Sequence, residues 1–329
     1  MHYRFLVAAG LLLGTLAAYG QTGASDPNIV PRLKSKAPEA AETATDRGAN
    51  IRVDTNLVLI PVSVTDPLGK FVTGLDKENF KLYEDKTEQE IQTFSSDDAP
   101  MSIGIVFDTS GSMGAKLQTS RLAVSEFVKT ANPVDEFFVV QFNDHPELLL
   151  PFTRNTEEVQ NKLMYVHSKG RTALLDGVYM AMNEMRRRAK NPRKAILIIS
   201  DGGDNSSRYT PGEVKEAVRE SDVQIYGIGV FESLANRGRT PEELGGPDLL
   251  HMLASLTAGT SFVVDNLREL PDVAMKIAIE LRNEYVLGYS SSNKARDGKY
   301  RRVQVKMAKV KGLPPLKAAF RTGYYAPAQ

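Results

Sequence analysis

The sequence has no cysteine and no tryptophan among its 329 residues, and it has only four histidines. Without cysteine the chain forms no disulfide, holds no metal through a thiolate and carries no lipid on a cysteine after a leader. The histidines show no metal-ligand spacing, which argues against zinc. An excess of one charge is also lacking. The formal net charge is +1, which gives no electrostatic reason to expect nucleic acid as a partner.

Long apolar runs are confined to the N-terminus. Arg4 precedes an apolar stretch from Phe5 to Ala18, which is shorter than the ~20 residues that cross a bilayer and ends in the small residues that signal peptidase reads. We therefore predict a signal peptide over residues 1–20, cleaved before Gln21, and an exported protein that is periplasmic, secreted or on the cell surface. We expect no transmembrane segment once the leader is removed.

The composition divides the remaining chain into a linker, two β-rich segments and a middle part in which strand and helix patterns alternate. Residues 21–50 are rich in Ala, Pro, Thr, Ser and charge, which is typical of a flexible linker. Residues 51–98 and 284–329 are β-rich, and Asp297-Gly298 predicts a hairpin turn. Neither β segment is long enough to bury a core alone. We therefore predict that the two pack together as one small β module around an inserted middle part.

In the middle part, strand and helix patterns alternate. Apolar runs lie at Ile103–Phe107, Phe137–Phe142, Ala195–Ile199 and Val223–Val230, and amphipathic helical patterns separate them. This alternation predicts an α/β fold, with a doubly wound, mainly parallel sheet and helices on both faces.

Oxygen-bearing side chains stand where two of these strands end. The first run leads into Asp108-Thr109-Ser110-Gly111-Ser112, and the third leads into Ser200-Asp201. Because open α/β sheets place ligands beyond the carboxyl ends of strands at a topological switch point, we expect Asp108 and Asp201 to lie side by side. Thr172, which opens a helical stretch, offers a further hydroxyl. Such oxygens suit a hard divalent cation, so we predict Mg²⁺, with Mn²⁺ or Ca²⁺ as alternatives. An isolated Asp-x-Ser-x-Ser would also suit a capped turn.

The ordered pattern Asp108-x-Ser110-x-Ser112, Thr172, Asp201 resembles the metal-ion-dependent adhesion site of von Willebrand factor type A domains, over residues 99–283. The resemblance implies that the three hydroxyls contact the metal, while the two aspartates act directly or through water. Asp204 either supports these ligands from behind or caps a loop. Asp176 could hydrogen-bond within the site, but we expect it to serve a helix face. The flanks, including Tyr285–Tyr289 and Arg321–Tyr325, resemble those of the exported bacterial "VWFA-related" family.

Two carboxylates and three hydroxyls would leave a dication incompletely satisfied, so a protein partner's Asp or Glu carboxylate could complete its coordination. We therefore predict a non-enzymatic, metal-dependent, adhesion-type binding protein. The alternative is a structural or scaffolding component of a cell-envelope assembly whose ion is permanently bound. A metal-dependent hydrolase is disfavoured, because the sequence has neither a Gly-x-Ser-x-Gly nucleophile elbow nor a Gly-x-x-x-x-Gly-Lys phosphate loop.

Overall fold

The computed structural model describes residues 57–96, 98–231, 241–257 and 259–328. The predicted signal peptide and linker, residues 1–20 and 21–50, lie outside the described residues. Asp54–Gln329 form one compact unit. The boundaries of the β module and the inserted part therefore stay predictions.

The described chain alternates between short β segments and strand–helix units. The strands are β1 Leu57–Thr65, β2 Phe80–Glu84, β3 Thr87–Gln89, β4 Thr93–Ser95, β5 Met101–Asp108, β6 Glu136–Phe142, β7 Pro146–Thr153, β8 Arg193–Ser200, β9 Gln224–Val230, β10 Ser261–Val264, β11 Tyr285–Ser290, β12 Tyr300–Met307, β13 Lys317–Phe320 and β14 Gly323–Tyr325. The helices are α1 Leu117–Lys129, α2 Thr156–Met164, α3 Leu174–Arg188, α4 Pro211–Glu220, α5 Pro241–Leu244, α6 Gly246–Ser255 and α7 Leu270–Arg282.

The central sheet has six strands in the order β10-β9-β8-β5-β6-β7. Every neighbouring pair is parallel except β6 with β7, which is antiparallel. The chain runs outward from β5 in one direction and from β8 in the other, so the switch point lies between these two strands. The predicted doubly wound, mainly parallel α/β fold is confirmed.

Both faces of this sheet are covered by helices, which explains why its strands are apolar runs rather than alternating patterns. On one face, Ile103, Ile105 and Phe107 of β5 pack with buried side chains of α1, α2 and α7. On the other face, Val106 of β5 packs with buried side chains of α3, α4 and α6. No helix in the described part of the chain has the length and apolar character needed to cross a membrane.

The flanks form two four-stranded sheets, β13-β1-β11-β4 and β14-β12-β2-β3, and each contains strands from both ends of the chain. Their shared core includes Ile60, Leu82, Leu287 and Val305. The prediction that the two flanks pack together as one β module is therefore confirmed. The hairpin predicted at Asp297-Gly298 is wrong. It connects β11 and β12, which belong to different sheets, because β11 pairs with β1 while β12 pairs with β2.

A buried polar cluster joins the β module to the central sheet. Glu284, just before β11, forms an ion pair with Arg193 at 3.0 Å and accepts hydrogen bonds from Gln224 at 2.7 Å and Tyr226 at 3.2 Å. Ser63 of β1 donates to the same carboxylate at 3.3 Å. Buried charges are costly unless they are paired and hydrogen-bonded. These contacts therefore tie the amino ends of β8 and β9 to the first strand of the β module.

Candidate metal site at the strand ends

Asp108 and Asp201 lie at the carboxyl ends of the two strands that border the switch point. β5 ends at Asp108, β8 ends at Ser200, and the two strands pair in parallel up to Phe107 opposite Ile199. The Ser200 hydroxyl donates to Oδ2 of Asp108 at 2.5 Å. Both aspartates are buried. The structure thus brings together the two carboxylates singled out in the sequence.

This arrangement leaves negative charge in a dry environment. Burial and, after it, the nearby Asp201 carboxylate raise the pKa of Asp108 to about 7, against hydrogen bonds from Ser110 and Ser200 that lower it. Like charges held close together disfavour each other's ionised form. A cation placed between them would relieve that penalty.

The serine loop after β5 presents its hydroxyls on one side. The backbone N–H of Ser110 donates to Oδ1 of Asp108 at 2.8 Å, so the carboxylate caps the turn while its other oxygen faces Ser200. The hydroxyls of Ser110 and Ser112 are 3.0 Å apart. Ser110 is buried and Ser112 is exposed. A capped turn and a set of cation ligands are therefore compatible descriptions of the same loop.

Thr172 is held next to this loop through the backbone. The N–H of Gly111 donates to the carbonyl of Gly170 at 3.0 Å, which ties the two loops together. Thr172 is buried, and its N–H donates to Oδ1 of Asn205 at 3.0 Å in the loop after β8. Within the described residues, no side-chain hydrogen bond joins Thr172 to the other four predicted ligands.

Lys116 is a functional candidate that the sequence did not single out. Its Nζ lies 3.0 Å from Oδ2 of Asp201, and both side chains are largely buried. The other carboxylate oxygen of Asp201, Oδ1, is buried and has no hydrogen-bond partner in the described structure. Lys116 lies just before α1 and belongs to no recognisable sequence pattern. Its contact with Asp201 depends on how far its side chain extends toward the end of β8, which the sequence does not show.

Gly202 keeps the loop after Asp201 close to helix α6. Its φ is +78°, and a Cβ there would lie 2.6 Å from the backbone of Gly246. Only glycine combines a left-handed backbone with such a close approach. The geometry behind Asp201 therefore depends on this residue.

Asp204 and Asp176 hold the surrounding loops. Asp204 Oδ1 accepts from the Ser207 hydroxyl at 2.6 Å and from the N–H of Leu175 at 3.4 Å, so it acts as a loop cap at the start of α3. Burial raises the pKa of Asp204. The helix-face role expected for Asp176 is wrong. Asp176 is buried, and its Oδ1 accepts from two backbone N–H groups of the loop that precedes α4.

The donor set fits a hard divalent cation. No group of three or more His, Asp or Glu side chains suited to a metal occurs in the described ranges, so any ion here depends on hydroxyl ligands as well. Two buried carboxylates, an unpartnered carboxylate oxygen and a close pair of hydroxyls meet that requirement. The absence of His and Cys from the set disfavours zinc.

The strand order defines a doubly wound α/β domain, and the candidate cation ligands lie at its switch point. Residues 103–203 match the family model for the von Willebrand factor type A domain. The chain contains a von Willebrand factor type A domain.

Curated relatives share only part of their length with this chain. Inter-alpha-trypsin inhibitor heavy chain H4 from Sus scrofa is 25% identical over 198 residues, which cover 57% of this chain and 20% of that protein. A UPF0353 protein from Mycolicibacterium paratuberculosis is 25% identical over 217 residues, which cover 60% of this chain and 66% of that protein. The chain thus spans a fifth of the first relative and about two thirds of the second.

Solved structures also resemble the chain. BatB from Bacteroides thetaiotaomicron has 20% identity and a TM-score of 0.44, covering 55% of this chain and 98% of that one. The vWF domain of the type V pili tip protein Mfa5 from Porphyromonas gingivalis has 15% identity and a TM-score of 0.44, covering 56% and 97%. A von Willebrand factor type A structure from Catenulispora acidiphila has 13% identity and a TM-score of 0.47, covering 84% and 75%.

Proposed function

We propose that this protein is an exported, non-enzymatic binding protein that captures a carboxylate of a protein partner through a divalent cation. The residues that would hold the ion are Asp108, Ser110, Ser112, Thr172 and Asp201. The observation that carries the proposal is the pair of buried carboxylates at the switch point, one of which has an oxygen without a hydrogen-bond partner in the described structure. We also propose that the chain belongs to the narrower exported bacterial "VWFA-related" family, because its flanking segments resemble those of that family.

When bound, the ion supplies a Lewis-acidic centre for the partner's carboxylate. The protein's own contribution is to position the ligands. Asp108 is fixed by the N–H of Ser110 and the hydroxyl of Ser200. Thr172 is fixed by its backbone contact with Asn205. Rigid placement of this kind lowers the ordering cost of binding.

Calorimetry on the mature chain tests the metal site. We expect one Mg²⁺ or Mn²⁺ per chain, and we expect Asp108→Ala to abolish binding with the fold kept. Asp66→Ala is the matched control, because Asp66 lies in an exposed turn of the β module, where its Oδ1 accepts from two backbone N–H groups. Equal metal affinity in wild type and Asp108→Ala would contradict the assignment.

Affinity capture from envelope extract, with Mg²⁺ and then with chelator, tests partner binding. We expect the captured proteins to be released when the ion is removed. Capture that is the same in both conditions would replace the adhesion proposal with the scaffold alternative, in which the ion stabilises the fold and the β module makes the contacts. Metal-dependent turnover of ester substrates would overturn the non-enzymatic part.

Expression of the full chain in a bacterial host tests export. We expect the protein in the periplasm or medium, with a mature N-terminus at Gln21. A cytoplasmic protein that retains residues 1–20 would contradict this part of the proposal.

A further inference from the structure

A cavity of about 550 Å³ lies at the edge of the central sheet opposite the candidate metal site. Its walls come from the amino ends of β8 and β9, the start of β1, the connection after β11 and the C-terminal segment. The cavity lies at the amino end of β8 and the candidate metal site lies at its carboxyl end. Since β8 has eight residues, the two sites are on the order of 20 Å apart. A volume of this size is in the ordinary range for small-molecule pockets.

The lining carries an excess of positive charge. Five lining residues are basic, namely Arg193, Lys194, Lys294, Arg296 and Arg321, and one is acidic, Asp222. Asp222 already forms an ion pair with Lys194 at 2.6 Å, and Arg193 is paired with Glu284. Asp222 and Glu284 thus form ion pairs with two of these five cations.

Arg321 and Lys294 donate hydrogen bonds to neutral oxygens rather than to carboxylates, although the nearby Asp222 charge favours the charged form of Arg321. Arg321 is partly buried, and its Nη2 donates to the carbonyl of Arg219 at 3.2 Å. Lys294 donates to the hydroxyl of Ser290 at 2.9 Å. Neither side chain has a carboxylate within ion-pair distance in the part of the chain that the structure describes. Burial lowers the pKa of Arg321, so its charge lacks the solvation it would have in water.

Part of the cavity wall is apolar. Leu57, Leu59 and Val286 contribute side chains from β1 and β11, and Ala326 contributes one from the C-terminal segment. Leu57, at the start of β1, is 40% exposed and so offers apolar surface that a ligand could cover. Charged and apolar side chains thus line the same cavity.

We propose that this cavity binds a small amphipathic anion, whose carboxylate or phosphate head group lies on Arg321 and Lys294 and whose apolar body lies against β1 and β11. Arginine forks match both head groups by paired hydrogen bonds. The ligand site is independent of the divalent cation, since it lies at the other edge of the sheet.

The proposal is tested by titrating the mature full-length chain with four probes and following binding by calorimetry. Octanoate and octyl phosphate carry both features, 1-octanol lacks the charge, and acetate lacks the apolar body. We expect saturable binding of at least one of the first two at one site per chain, at least tenfold tighter than 1-octanol or acetate. The head group that binds more tightly identifies the anion. Added chelator should leave the affinity unchanged, which separates this site from the proposed metal site.

Three variants locate the site. Arg321→Gln should weaken binding of the tighter probe at least tenfold, and Lys294→Gln should weaken it at least threefold. Arg302→Gln is the matched control, because Arg302 lies on the exposed face of β12, away from the cavity lining. Thermal unfolding establishes that each variant folds. If Arg321→Gln does not fold, the exposed Lys294 decides the matter.

The proposal is overturned by any of three results: no binding of either anionic probe, no tighter binding of the better anionic probe than of 1-octanol, or unchanged affinity in folded Arg321→Gln and Lys294→Gln.

Discussion

The ammonium group of Lys116 lies 3.0 Å from Oδ2 of Asp201, at the point where two buried carboxylates meet. Among the ion pairs of the described residues, this one includes a candidate metal ligand. A buried ion pair of this kind offsets part of the cost of burying Asp201. It also competes with any divalent ion for the same carboxylate oxygen.

Lys116→Met should therefore strengthen divalent-ion binding. Removing the ammonium frees Oδ2 of Asp201, and we expect the affinity for Mg²⁺ or Mn²⁺ to rise about tenfold, which corresponds to ~1.4 kcal/mol. Without metal the variant should be less stable, because it leaves a buried carboxylate unpaired. Calorimetry and chemical denaturation measure the two effects. The control is Lys129→Met at the other end of α1, where Lys129 pairs with Glu126 on the surface. A fall in metal affinity in Lys116→Met would show that the lysine supports the ion instead.

Much of this architecture is predictable from the sequence because buried parallel strands are near-continuous apolar runs. The runs at Ile103–Phe107 and Ala195–Ile199 fall within β5 and β8, and their polar ends place Asp108 and Asp201 at one edge. Helix α6 and strand β7 are harder to predict. Gly246-Pro247 begins α6 without a side-chain cap, and β7 is an edge strand with a register shift against β6.

Contacts that depend on side-chain reach could not be predicted. Lys116 and Ser200 complete the surroundings of the two aspartates, yet neither belongs to a spacing pattern. The same limit explains the wrong hairpin at Asp297-Gly298. The Asp-Gly pair is typical of a turn. The sheet that each flanking strand joins, however, depends on pairing with residues far away in the sequence, such as Val305 with Leu82.

Gly202→Ala should disturb the site more than its backbone angle alone explains. Gly202 and Gly69 both have φ near +77°, but a Cβ at Gly69 meets nothing within 4 Å, whereas one at Gly202 lies 2.6 Å from the Gly246 backbone. We expect Gly69→Ala to lower the free energy of unfolding by ~1–2 kcal/mol. Gly202→Ala should cost more than that, since the backbone of α6 must move. It should also weaken metal binding, because Asp201 is its neighbour. Equal costs in the two variants, measured by denaturation, would argue against close packing of Gly202 on α6.

The pH dependence of stability should carry a contribution from Glu280. Burial and the adjacent Glu284 carboxylate raise the pKa of Glu280 from 4.5 to about 7. Between these values the folded protein holds a proton that the unfolded chain has released, so the free energy of unfolding falls as pH rises. Glu280→Gln should reduce this fall by an amount on the order of 1–3 kcal/mol over the window.

This measurement is made in chelator, and the difference between wild type and variant is used because Asp108 titrates in the same direction. Glu88→Gln, on the exposed strand β3, is the control and should leave the slope unchanged. If the free energy of unfolding of Glu280→Gln falls with pH as steeply as that of the wild type, the raised pKa of Glu280 is contradicted.

The β module should depend on the core shared by both flanks. Leu287 of β11 is fully buried, and Leu287→Ala should lower the free energy of unfolding by ~2–5 kcal/mol. Val286→Ala on the other face of the same strand should cost less, because Val286 is only partly buried. Deleting residues 285–329 removes β11 to β14 and should leave β1 with exposed apolar faces and an aggregating protein. A soluble, cooperatively folded truncation would count against a shared core.

Thr172→Ala should separate the adhesion proposal from a purely structural metal site. Thr172 is buried next to the candidate ligands, and its contacts to Asn205 and Ser206 run through the backbone, so they survive the substitution. Stability without metal should therefore change by less than ~1 kcal/mol. Loss of a neutral hydroxyl ligand should nevertheless weaken partner binding about tenfold, or ~1.4 kcal/mol.

Removing the partner's carboxylate should be about as harmful, and the two losses should not add, because both act on one coordination sphere. Thr156→Ala, at the start of α2, provides the matched control. Partner affinity is measured with divalent ion and with chelator for all combinations. Additive losses, or a Thr172→Ala effect that persists in chelator, would place the role of Thr172 in the fold and leave the carboxylate-capture mechanism without support.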